Sequence, residues 1–418
     1  MSALLQQYEP EQAVRPRLLV GGASTTLAEH VARHGPLPRI AGRAHDAIDL
    51  IEASGLTGRG GAGFPSATKL RGIARGKRTV VVGNGTEGEP ASAKDVMLMT
   101  RNPHLVLDGL QAAAEIVGAD ESYIAVASRA AAAALERATA ERADRVPPAI
   151  VQVPHRFVAG EESAVVHWLN GGDATPTGRR PFERGVRGRP TLVQNVETLA
   201  HLALIVRHGA EWFRSAGLVD EPGTVLATVS GAVHRPGVIE IEVGTTFRAA
   251  FERCGGLSAP IQAVLVGGYF GSWLPPDLDI PLSDGALRPL GASLGARTIV
   301  ALPDSVCGLV ESSRAARYMA EESAGQCGPC VFGLAALADA FHAVAACEAM
   351  SGDALDRIPR LHAQIARRGA CAHPDGTLRF VASALDVFAA EVDAHRRGRC
   401  TATAHTPILP TPRKRSGQ

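Results

Sequence analysis

The stretch Gly58-Arg59-Gly60-Gly61-Ala62-Gly63-Phe64-Pro65 places four glycines within six residues and an aromatic ring beside them. Glycine adopts positive φ angles without strain, so its backbone N–H groups can approach a ligand closely. Such a loop suits a phosphate, or a flat ring that lies against the main chain. The spacing Gly58-x-Gly60-x-x-Gly63 also fits the dinucleotide fingerprint, which requires a preceding strand. Because residues 45–54 are predicted to be helical, a plain Rossmann turn is not favoured, and a glycine-rich surface turn is the alternative.

Three further loops rich in Gly, Asn and Glu flank apolar segments. A strand predicted at Thr79–Val82 leads into Gly83-Asn84-Gly85-Thr86-Glu87-Gly88-Glu89-Pro90. The run Phe157-Val158-Ala159-Gly160-Glu161-Glu162-Ser163-Ala164 precedes a predicted helix, and Arg189–Thr198 follows. Together these loops resemble the NADH-binding, FMN-containing F-subunit family of complex I, a module that also occurs in NAD-dependent formate dehydrogenases and hydrogenases. The resemblance extends from about residue 45 to about residue 395.

The resemblance implies an NADH-dependent oxidoreductase that transfers hydride from NADH to FMN. Single electrons then pass through an iron–sulfur cluster to a partner, because NADH gives two electrons together whereas a cluster accepts one. The implied partner is a redox subunit, a ferredoxin-like acceptor or a quinone module. The alternative is a degenerate member of the family that binds flavin or serves a regulatory role without a cluster.

The residue types in the loops suit a flavin and a nucleotide. Backbone N–H groups of the glycine loop and the Lys69 ammonium suit anionic groups, although Lys69 alone is also consistent with a solvated surface lysine. Asn84, Gln194 and Asn195 offer neutral donors for phosphate or ribityl hydroxyls. Asn195 is equally consistent with the N-cap of a helix.

Two pairs of acidic residues, Glu87/Glu89 and Glu161/Glu162, are unusual beside a phosphate site. Carboxylates repel phosphate, so we expect them to accept hydrogen bonds from ribose or ribityl hydroxyls and from the nicotinamide amide. The alternatives are a favourable charge at a helix start for the second pair and a solvated turn for the first. The resemblance implies contacts to FMN and nicotinamide for both pairs, with Glu89 and Glu162 in the catalytic roles.

The resemblance also implies that Phe64 and Phe182 stack on the NADH adenine. The cofactor-binding residues that it implies are Gly58, Arg59, Gly60, Gly61, Ala62, Gly63, Phe64, Lys69, Asn84, Glu87, Glu89, Phe157, Gly160, Glu161, Glu162, Phe182, Gln194 and Asn195. Four positions depart from the family pattern: Gly72 replaces an aromatic residue, Thr86 an aspartate, Phe157 a tyrosine and Gln194 an asparagine. We expect flavin binding to survive these changes, which bear instead on the nucleotide affinity and on the preference for NADH over NADPH.

A cysteine motif near the C-terminus lacks one member. Ser323-Ala324-Gly325-Gln326-Cys327-Gly328-Pro329-Cys330 precedes a predicted helix, and Cys371 lies further along the chain. The family motif is Ser-Cys-Gly-x-Cys-x-x-Cys with a distant fourth cysteine, and it holds a [4Fe–4S] cluster. Cys327, Cys330 and Cys371 match three ligands, whereas Ala324 cannot bind iron. A Cys-x-x-Cys pair alone is also consistent with a redox pair or two core thiols.

Three cysteines can hold a [3Fe–4S] cluster, or a [4Fe–4S] cluster with a further ligand, for which His373 and Cys400 are candidates. Cys254, Cys307 and Cys347 match no ligand position and are interpreted as buried thiols.

Composition excludes several classes of protein. A formal net charge of +1 and an aromatic content of 4% give no reason to expect nucleic-acid binding. No apolar run reaches the roughly 18 residues of a membrane span, so any membrane association is expected to be peripheral and through a partner. The N-terminus lacks the features of a signal peptide, which predicts a cytoplasmic protein with thiols or metal ligands rather than disulfides.

The predicted fold is an α/β flavin–nucleotide domain followed by a small β-grasp (soluble-ligand-binding) domain and a C-terminal helical bundle. The α/β part follows from alternating strands and helices, and the resemblance implies the other two. The expected divisions are an N-terminal segment (1–44), the FMN/NADH domain (45–222), the β-grasp domain (223–304), the helical iron–sulfur domain (305–398) and a disordered tail (399–418).

Overall fold

The computed structural model describes residues 16–20, 25–40, 42–73, 78–348 and 351–412. The chain forms two compact units. The first comprises Met1–Gly88, Ala93–Ala227 and Val238–Thr245, and the second comprises Glu89–Ser92, Thr228–Gly237 and Thr246–Gln418. This partition is coarser than the five predicted segments, whose boundaries stay predictions.

The first unit alternates helices and strands, as the sequence predicts. Its strands are β1 (Thr79–Gly85), β2 (Ala119–Val126), β3 (Pro148–Gln152) and β4 (Thr191–Asn195). Its helices are α1 (Leu27–His34), α2 (Ala44–Ser54), α3 (Ser66–Ile73), α4 (Lys94–Arg101), α5 (Pro103–Val117), α6 (Arg129–Ala140), α7 (Glu162–Leu169), α8 (Pro181–Arg184), α9 (Val196–His208) and α10 (Ala210–Arg214). The glycine loop lies between α2 and α3, so it is not the strand–turn–helix of a Rossmann fingerprint.

The strands of the first unit form a parallel sheet in the order β3-β2-β1-β4. Strand β1 is buried along almost its whole length, which suits its run of valines, because a parallel sheet is covered on both faces. The chain passes from β1 to β2 on one side and returns later to β4 on the other side of β1. The order therefore reverses between β1 and β4, and such a switch point is where open α/β sheets bind ligands.

Helices α5 and α9 belong to the core of this unit, and α5 is almost entirely buried. A Cβ at Gly109 would lie only 1.9 Å from the carbonyl oxygen of Leu199. Glycine at this position therefore allows the two helices to approach closely. The residue after α5, Gly118, takes a left-handed conformation with φ 67° and ends the helix.

A second sheet follows in the chain, with the strand order β6-β5-β9-β7-β8. Its strands are β5 (Thr224–Gly231), β6 (Gly237–Glu242), β7 (Ile261–Val266), β8 (Ser272–Leu274) and β9 (Thr298–Pro303). Strand β9 pairs in parallel with β5 and antiparallel with β7. The remaining α-helices of the described residues are α11 (Phe247–Arg253), α12 (Asp284–Leu287), α13 (Gly308–Glu321), α14 (Leu334–Ala345), α15 (Ser351–Ile365), α16 (His373–Val387) and α17 (Ala389–Arg396).

The C-terminal stretch differs from the predicted disordered tail. Within the second unit, the N–H groups of Ile408 and Leu409 donate to the buried carboxylate of Glu311 at 2.8 and 2.7 Å. The Tyr269 hydroxyl donates to the carbonyl of Pro410 at 2.7 Å, and Leu409 is buried. Residues 401–412 are therefore held against the unit, and residues 413–418 lie outside the described ranges. Within the described ranges, no helix is both long enough and apolar enough to cross a membrane.

Candidate functional site

The carboxyl ends of β1 and β4 bring together residues from three of the predicted loops. Asn84 on β1 pairs in register with Asn195 on β4, and Gly83 pairs with Gln194. A Cβ at Gly60 would lie 3.2 Å from the Cβ of Asn195, so the glycine loop runs directly beside this end of the sheet. The loop therefore lies at the switch point of the parallel sheet.

The glycine loop is fixed at its base and exposed at its tip. The Arg59 N–H donates to the Thr198 hydroxyl at 2.8 Å, and the buried Arg59 guanidinium donates to the Pro222 carbonyl at 3.2 Å. Gly61 and Gly63 have φ angles of 113° and 64°, which side chains with a Cβ rarely adopt. Residues 60–62 are exposed. The loop thus presents backbone to a ligand on an anchored base.

Asn84 joins the second and third loops. Its Nδ2 donates to the Gly160 carbonyl at 2.8 Å, and its Oδ1 accepts from the Thr86 hydroxyl at 2.8 Å. A Cβ at Gly160 would lie 2.8 Å from the Thr86 hydroxyl oxygen, so only glycine fits there without displacing it. The amide of Asn84 therefore holds the loops together, and Thr86, which departs from the family pattern, has a structural role.

Asn195 is the N-cap of α9, as one of the two interpretations predicts. Its Oδ1 accepts from the N–H of Glu197 at 3.0 Å, while its Nδ2 donates to the Asp95 carboxylate at 2.8 Å. The buried Lys94 ammonium bridges Asp95 and Glu197, with 2.8 Å to each. Burial raises the pKa of Asp95 against the opposing charge of Lys94, and the Glu197 carboxylate raises it further.

This buried charge network was missed at the sequence level. Lys94 and Glu197 are 103 residues apart, and nothing in either local pattern signals the pairing. The glycine loop contacts Asn195, and Asn195 contacts Asp95, so the network supports the base of the site.

Gln194, a predicted cofactor-binding residue, lies on β4 next to Asn195. Its side chain is 3% exposed, and its Nε2 is buried with no hydrogen-bond partner among the described residues. An unpaired buried donor costs about 1–3 kcal/mol. The donor lies on β4, one residue from Asn195 at the switch point. An acceptor oxygen, such as one of the ribityl chain or phosphate of FMN, suits this donor, and the next residue, Asn195, lies beside the glycine loop.

Two of the predicted acidic residues accept hydrogen bonds from the N-termini of helices. The Glu87 carboxylate accepts from the N–H groups of Asp95 and Val96 in the first turn of α4, at 3.0 and 2.9 Å. The Glu161 carboxylate accepts from the N–H groups of Ser163 and Ala164 in the first turn of α7, at 2.9 and 3.0 Å. The alternative interpretation as a charge at a helix start thus describes Glu161, and it extends to Glu87.

The other acidic residues have different partners. Glu162 forms an ion pair with Lys69 on α3, so Lys69 is not simply a solvated lysine. Glu89 belongs to the second unit, where its carboxylate accepts from the N–H of Tyr269 at 2.7 Å. A Cβ at Gly268 would lie 2.4 Å from the same carboxylate, which explains the glycine there.

The two predicted stacking residues are among the exposed large apolar side chains, Phe64 at 52% and Phe182 at 43%. Such exposure is consistent with a stacking role. Phe182 lies on α8, beside a cleft of about 330 Å³ that Arg179, Arg184 and Arg187 help to line. These arginines were not among the predicted site residues, although the adjacent basic residues Arg179 and Arg180 could have indicated an anion-binding surface.

In the second unit, the Cys330 thiol lies near the thiols of Cys327 and Cys371. Burial, and then the neighbouring Cys327 and Cys371 thiols, raise the pKa of Cys330 to about 12. Although burial opposes it, hydrogen bonds from the backbone of Ala370 and from Cys330 lower the pKa of Cys327. A set of converging thiols that accept backbone N–H groups suits an iron–sulfur cluster.

The two candidates for a fourth cluster ligand have other partners. The His373 Nε2 donates to the Met319 carbonyl at 2.7 Å, and its ring is buried. Cys400 is exposed and lies in a different group, with Cys307, Glu391 and His395. Of the thiols without a predicted role, Cys254 and Cys307 are buried, whereas Cys347 is only half-buried.

Three family models match the chain in order. They are the Nuo51 FMN-binding domain at residues 51–204, the SLBB domain at residues 226–265 and the NADH-ubiquinone oxidoreductase-F iron-sulfur binding region at residues 311–395.

Similar proteins cover most of the chain. The F 2 subunit of the NADH-quinone oxidoreductase of Rhizobium meliloti is 33% identical over 372 residues, which is 83% of this chain and 88% of that protein. The corresponding F subunit of Streptomyces coelicolor is 30% identical over 393 residues, 88% of this chain and 87% of that protein. The structure of an NAD+-reducing [NiFe]-hydrogenase in its H2-reduced state superposes with a TM-score of 0.79 at 31% identity, over 89% of this chain. This chain spans 65% of that hydrogenase chain.

The parallel sheet, its loops at the switch point and the thiol group define an FMN-binding and iron–sulfur-binding module of an NADH-dependent oxidoreductase. The chain belongs to the F-subunit family of NADH-quinone oxidoreductases. The resemblance inferred from the sequence, with FMN, NADH and an iron–sulfur cluster as its cofactors, is confirmed.

Proposed function

We propose that this chain oxidises NADH at FMN bound at the switch point of the first unit and delivers the electrons singly to a redox partner. The observation that carries this proposal is the buried Nε2 of Gln194, which has no hydrogen-bond partner among the described residues and belongs to the residue next to Asn195, beside which the glycine loop runs. The bound FMN supplies the exchange between two-electron and one-electron transfer.

The side chains of the first unit have distinct tasks in this proposal. Gln194 and the N–H groups of residues 60–63 bind the ribityl chain and phosphate, and Asn84 keeps the Gly160 loop against them. Lys69 and Glu162 bind as a pair, the ammonium to an anionic group and the carboxylate to the nicotinamide amide. Glu87 and Glu161 act indirectly, since each holds a helix N-terminus beside the site.

The proposal also assigns roles to the aromatic side chains, to the three cysteines and to the second sheet with the helices that follow it. Phe64 and Phe182 stack on the adenine of NADH, and Phe157 contributes to the nicotinamide side. Cys327, Cys330 and Cys371 hold the iron–sulfur cluster. Because Ala324 stands in the place of a fourth cysteine, the number of irons depends on whether another ligand takes that position. The mixed sheet is a β-grasp domain of the soluble-ligand-binding kind, and α13–α17 form the helical bundle.

The partner is a redox subunit or a ferredoxin-like acceptor in the cytoplasm. Association with a membrane, if it occurs, is peripheral and through that partner. Support comes from relatives that are named as subunits of NADH-quinone oxidoreductase.

A second candidate is a degenerate subunit that binds flavin and lacks a cluster. Ala324 favours it, because one iron loses its usual thiolate. The visible spectrum of anaerobically purified protein separates the two functions. A flavin band with broad cluster absorption supports the electron-transfer enzyme, a flavin band alone supports the degenerate subunit, and the absence of both refutes the proposal.

A further inference from the structure

Four metal-ligating side chains converge in the second unit, and none of the three predicted cluster cysteines belongs to this group. The Cys307 Sγ, a carboxylate oxygen of Glu391, a ring nitrogen of His395 and the Cys400 Sγ all lie within 4.8 Å of one another. Cys307 directly precedes α13, Glu391 and His395 lie on α17, and Cys400 follows α17. Cys307 and His395 are buried, whereas Cys400 is exposed.

The spacing matches a tetrahedral ion. The Cys307 Sγ and the His395 Nε2 are 3.6 Å apart. With metal–sulfur and metal–nitrogen bonds of roughly 2.3 and 2.0–2.1 Å, two tetrahedral ligands lie about 3.5 Å apart. Glu391 and His395 are four residues apart on one helix, so they share a face of α17.

The hydrogen bonds of His395 leave its Nε2 as the ring nitrogen that can bind a metal ion. Its Nδ1 lies 2.9 Å from the carbonyl oxygen of Val344, which can only accept, so Nδ1 carries a proton. Its Nε2 lies 2.9 Å from a carboxylate oxygen of Glu391, a second acceptor. A neutral imidazole donates from one nitrogen only. A proton on Nε2, a proton on the Glu391 carboxyl, or a metal ion bound to both groups can satisfy this contact.

The contacts of Nδ1 and of the carboxylate match the second shell of a metal site. Metal-binding histidines commonly donate their other N–H to a backbone carbonyl, which orients the ring. The Glu391 carboxylate accepts from the N–H of Thr401 at 2.8 Å and from its hydroxyl. The Cys307 Sγ accepts from the N–H of Val310 at 3.4 Å. Each of these three ligands is therefore held in place by a neighbour.

We propose that Cys307, Glu391, His395 and Cys400 bind one divalent ion of the zinc class, separate from the iron–sulfur cluster. Two thiolates and an imidazole favour zinc over the hard cations magnesium and calcium, which prefer oxygen ligands. The protein supplies four ligands, which defines a closed structural site rather than a catalytic one. The ion ties the C-terminal segment at Cys400 to the start of α13, the helix that leads to the cluster loop.

Metal analysis of the full-length, anaerobically purified protein tests the proposal. We expect about one zinc per chain in addition to iron. Cys400→Ser, which removes an exposed thiol and leaves no core cavity, should lower zinc by roughly tenfold or more while iron and flavin stay unchanged. Cys327→Ser should give the opposite pattern, with iron lowered and zinc retained. Cys254→Ser, which changes a thiol of the same unit outside the group, is the control and should change neither metal.

Cobalt(II) gives an independent readout. Protein stripped of zinc and loaded with cobalt should show thiolate charge-transfer bands and the intense visible bands of a tetrahedral site, and Cys400→Ser should lose them. The proposal is overturned if zinc is lost in Cys327→Ser and retained in Cys400→Ser. It is also overturned if the reduced protein takes up neither zinc nor cobalt, or if the anaerobic protein contains a Cys307–Cys400 disulfide.

Discussion

Lys69 and Glu162 form an ion pair that joins α3, the helix after the glycine loop, to the first turn of α7. The Glu162 carboxylate thus compensates the positive charge of the Lys69 ammonium, and an anionic ligand that reaches Lys69 meets Glu162 as well. The preceding residue, Glu161, has a different task, because its carboxylate accepts from the first N–H groups of α7. Of these two adjacent acidic residues, Glu161 therefore caps α7, whereas Glu162 is available for the binding role.

Glu162→Gln is expected to leave flavin content near that of the unchanged protein and to alter the affinity for NADH relative to NAD+. A change of about threefold is expected, since a partly exposed ion pair contributes up to ~1 kcal/mol. Nucleotide titrations of the flavin-loaded protein measure it. Loss of flavin with unchanged nucleotide affinities would show that Glu162 belongs to the flavin site.

Glu161→Ala provides the comparison. Losing the cap of α7 should cost about 1 kcal/mol of stability and lower the melting temperature, with little change in the ratio of nucleotide affinities. A large change in that ratio with an unaltered melting temperature would move the nucleotide role from Glu162 to Glu161.

Gly61→Val is expected to abolish flavin retention. Gly61 has a φ angle of 113° at the exposed tip of the loop, so a β-branched residue both strains the backbone and blocks its close approach to a ligand. Flavin content after desalting is the measurement. Gly72→Ala on α3 is the control, because a Cβ there meets nothing within 4 Å and φ is not positive. Undiminished flavin in Gly61→Val would refute the loop assignment.

His34 makes the stability of the first unit depend on pH. Burial, and then the charges of His30 and Arg207, lower the pKa of His34 from 6.5 to about 4. Between these values the unfolded chain binds more protons than the folded one, so stability falls as the pH falls through this window.

The melting temperature of the unchanged protein should therefore drop more than that of His34→Gln between about pH 7 and about pH 5. His155→Gln, at an exposed position, should follow the unchanged protein. Parallel curves for all three proteins would contradict the assignment to His34.

Ala324 leaves one iron of the cluster without its usual thiolate. EPR of the anaerobically reconstituted protein should show a [3Fe–4S] signal or an unusual [4Fe–4S] signal that is lost readily in air. Ala324→Cys should convert it towards an ordinary [4Fe–4S] spectrum. Protein that stays free of iron after anaerobic reconstitution would exclude the cluster.

The sequence predicted best where the signal is local. The valine run of β1 and the loops that follow it are read from adjacent residues, and so is the N-cap role of Asn195. The partner of Lys94 is not local, because Glu197 lies in a different element and only the parallel sheet brings the two together. The buried Nε2 of Gln194, which has no partner within the part of the chain that the structure describes, is likewise a property of the folded chain.

The C-terminal segment shows that composition alone does not predict whether a segment packs against the rest of the chain. Its Pro, Thr and basic residues are typical of disorder, yet Leu409 is buried and Glu311 accepts its N–H from 98 positions away. The same holds for Cys307, which was interpreted as a buried thiol. It lies beside Cys400 only because α13 and the segment after α17 meet.

Stepwise addition of NADH to the anaerobic protein, followed by visible and EPR spectroscopy, tests the central claim most directly. We expect NADH to bleach the flavin band and to produce the EPR signal change of a cluster that has accepted one electron, with no added mediator. A flavin band and a cluster signal that both stay unchanged in excess NADH would contradict the proposed electron transfer from NADH through FMN.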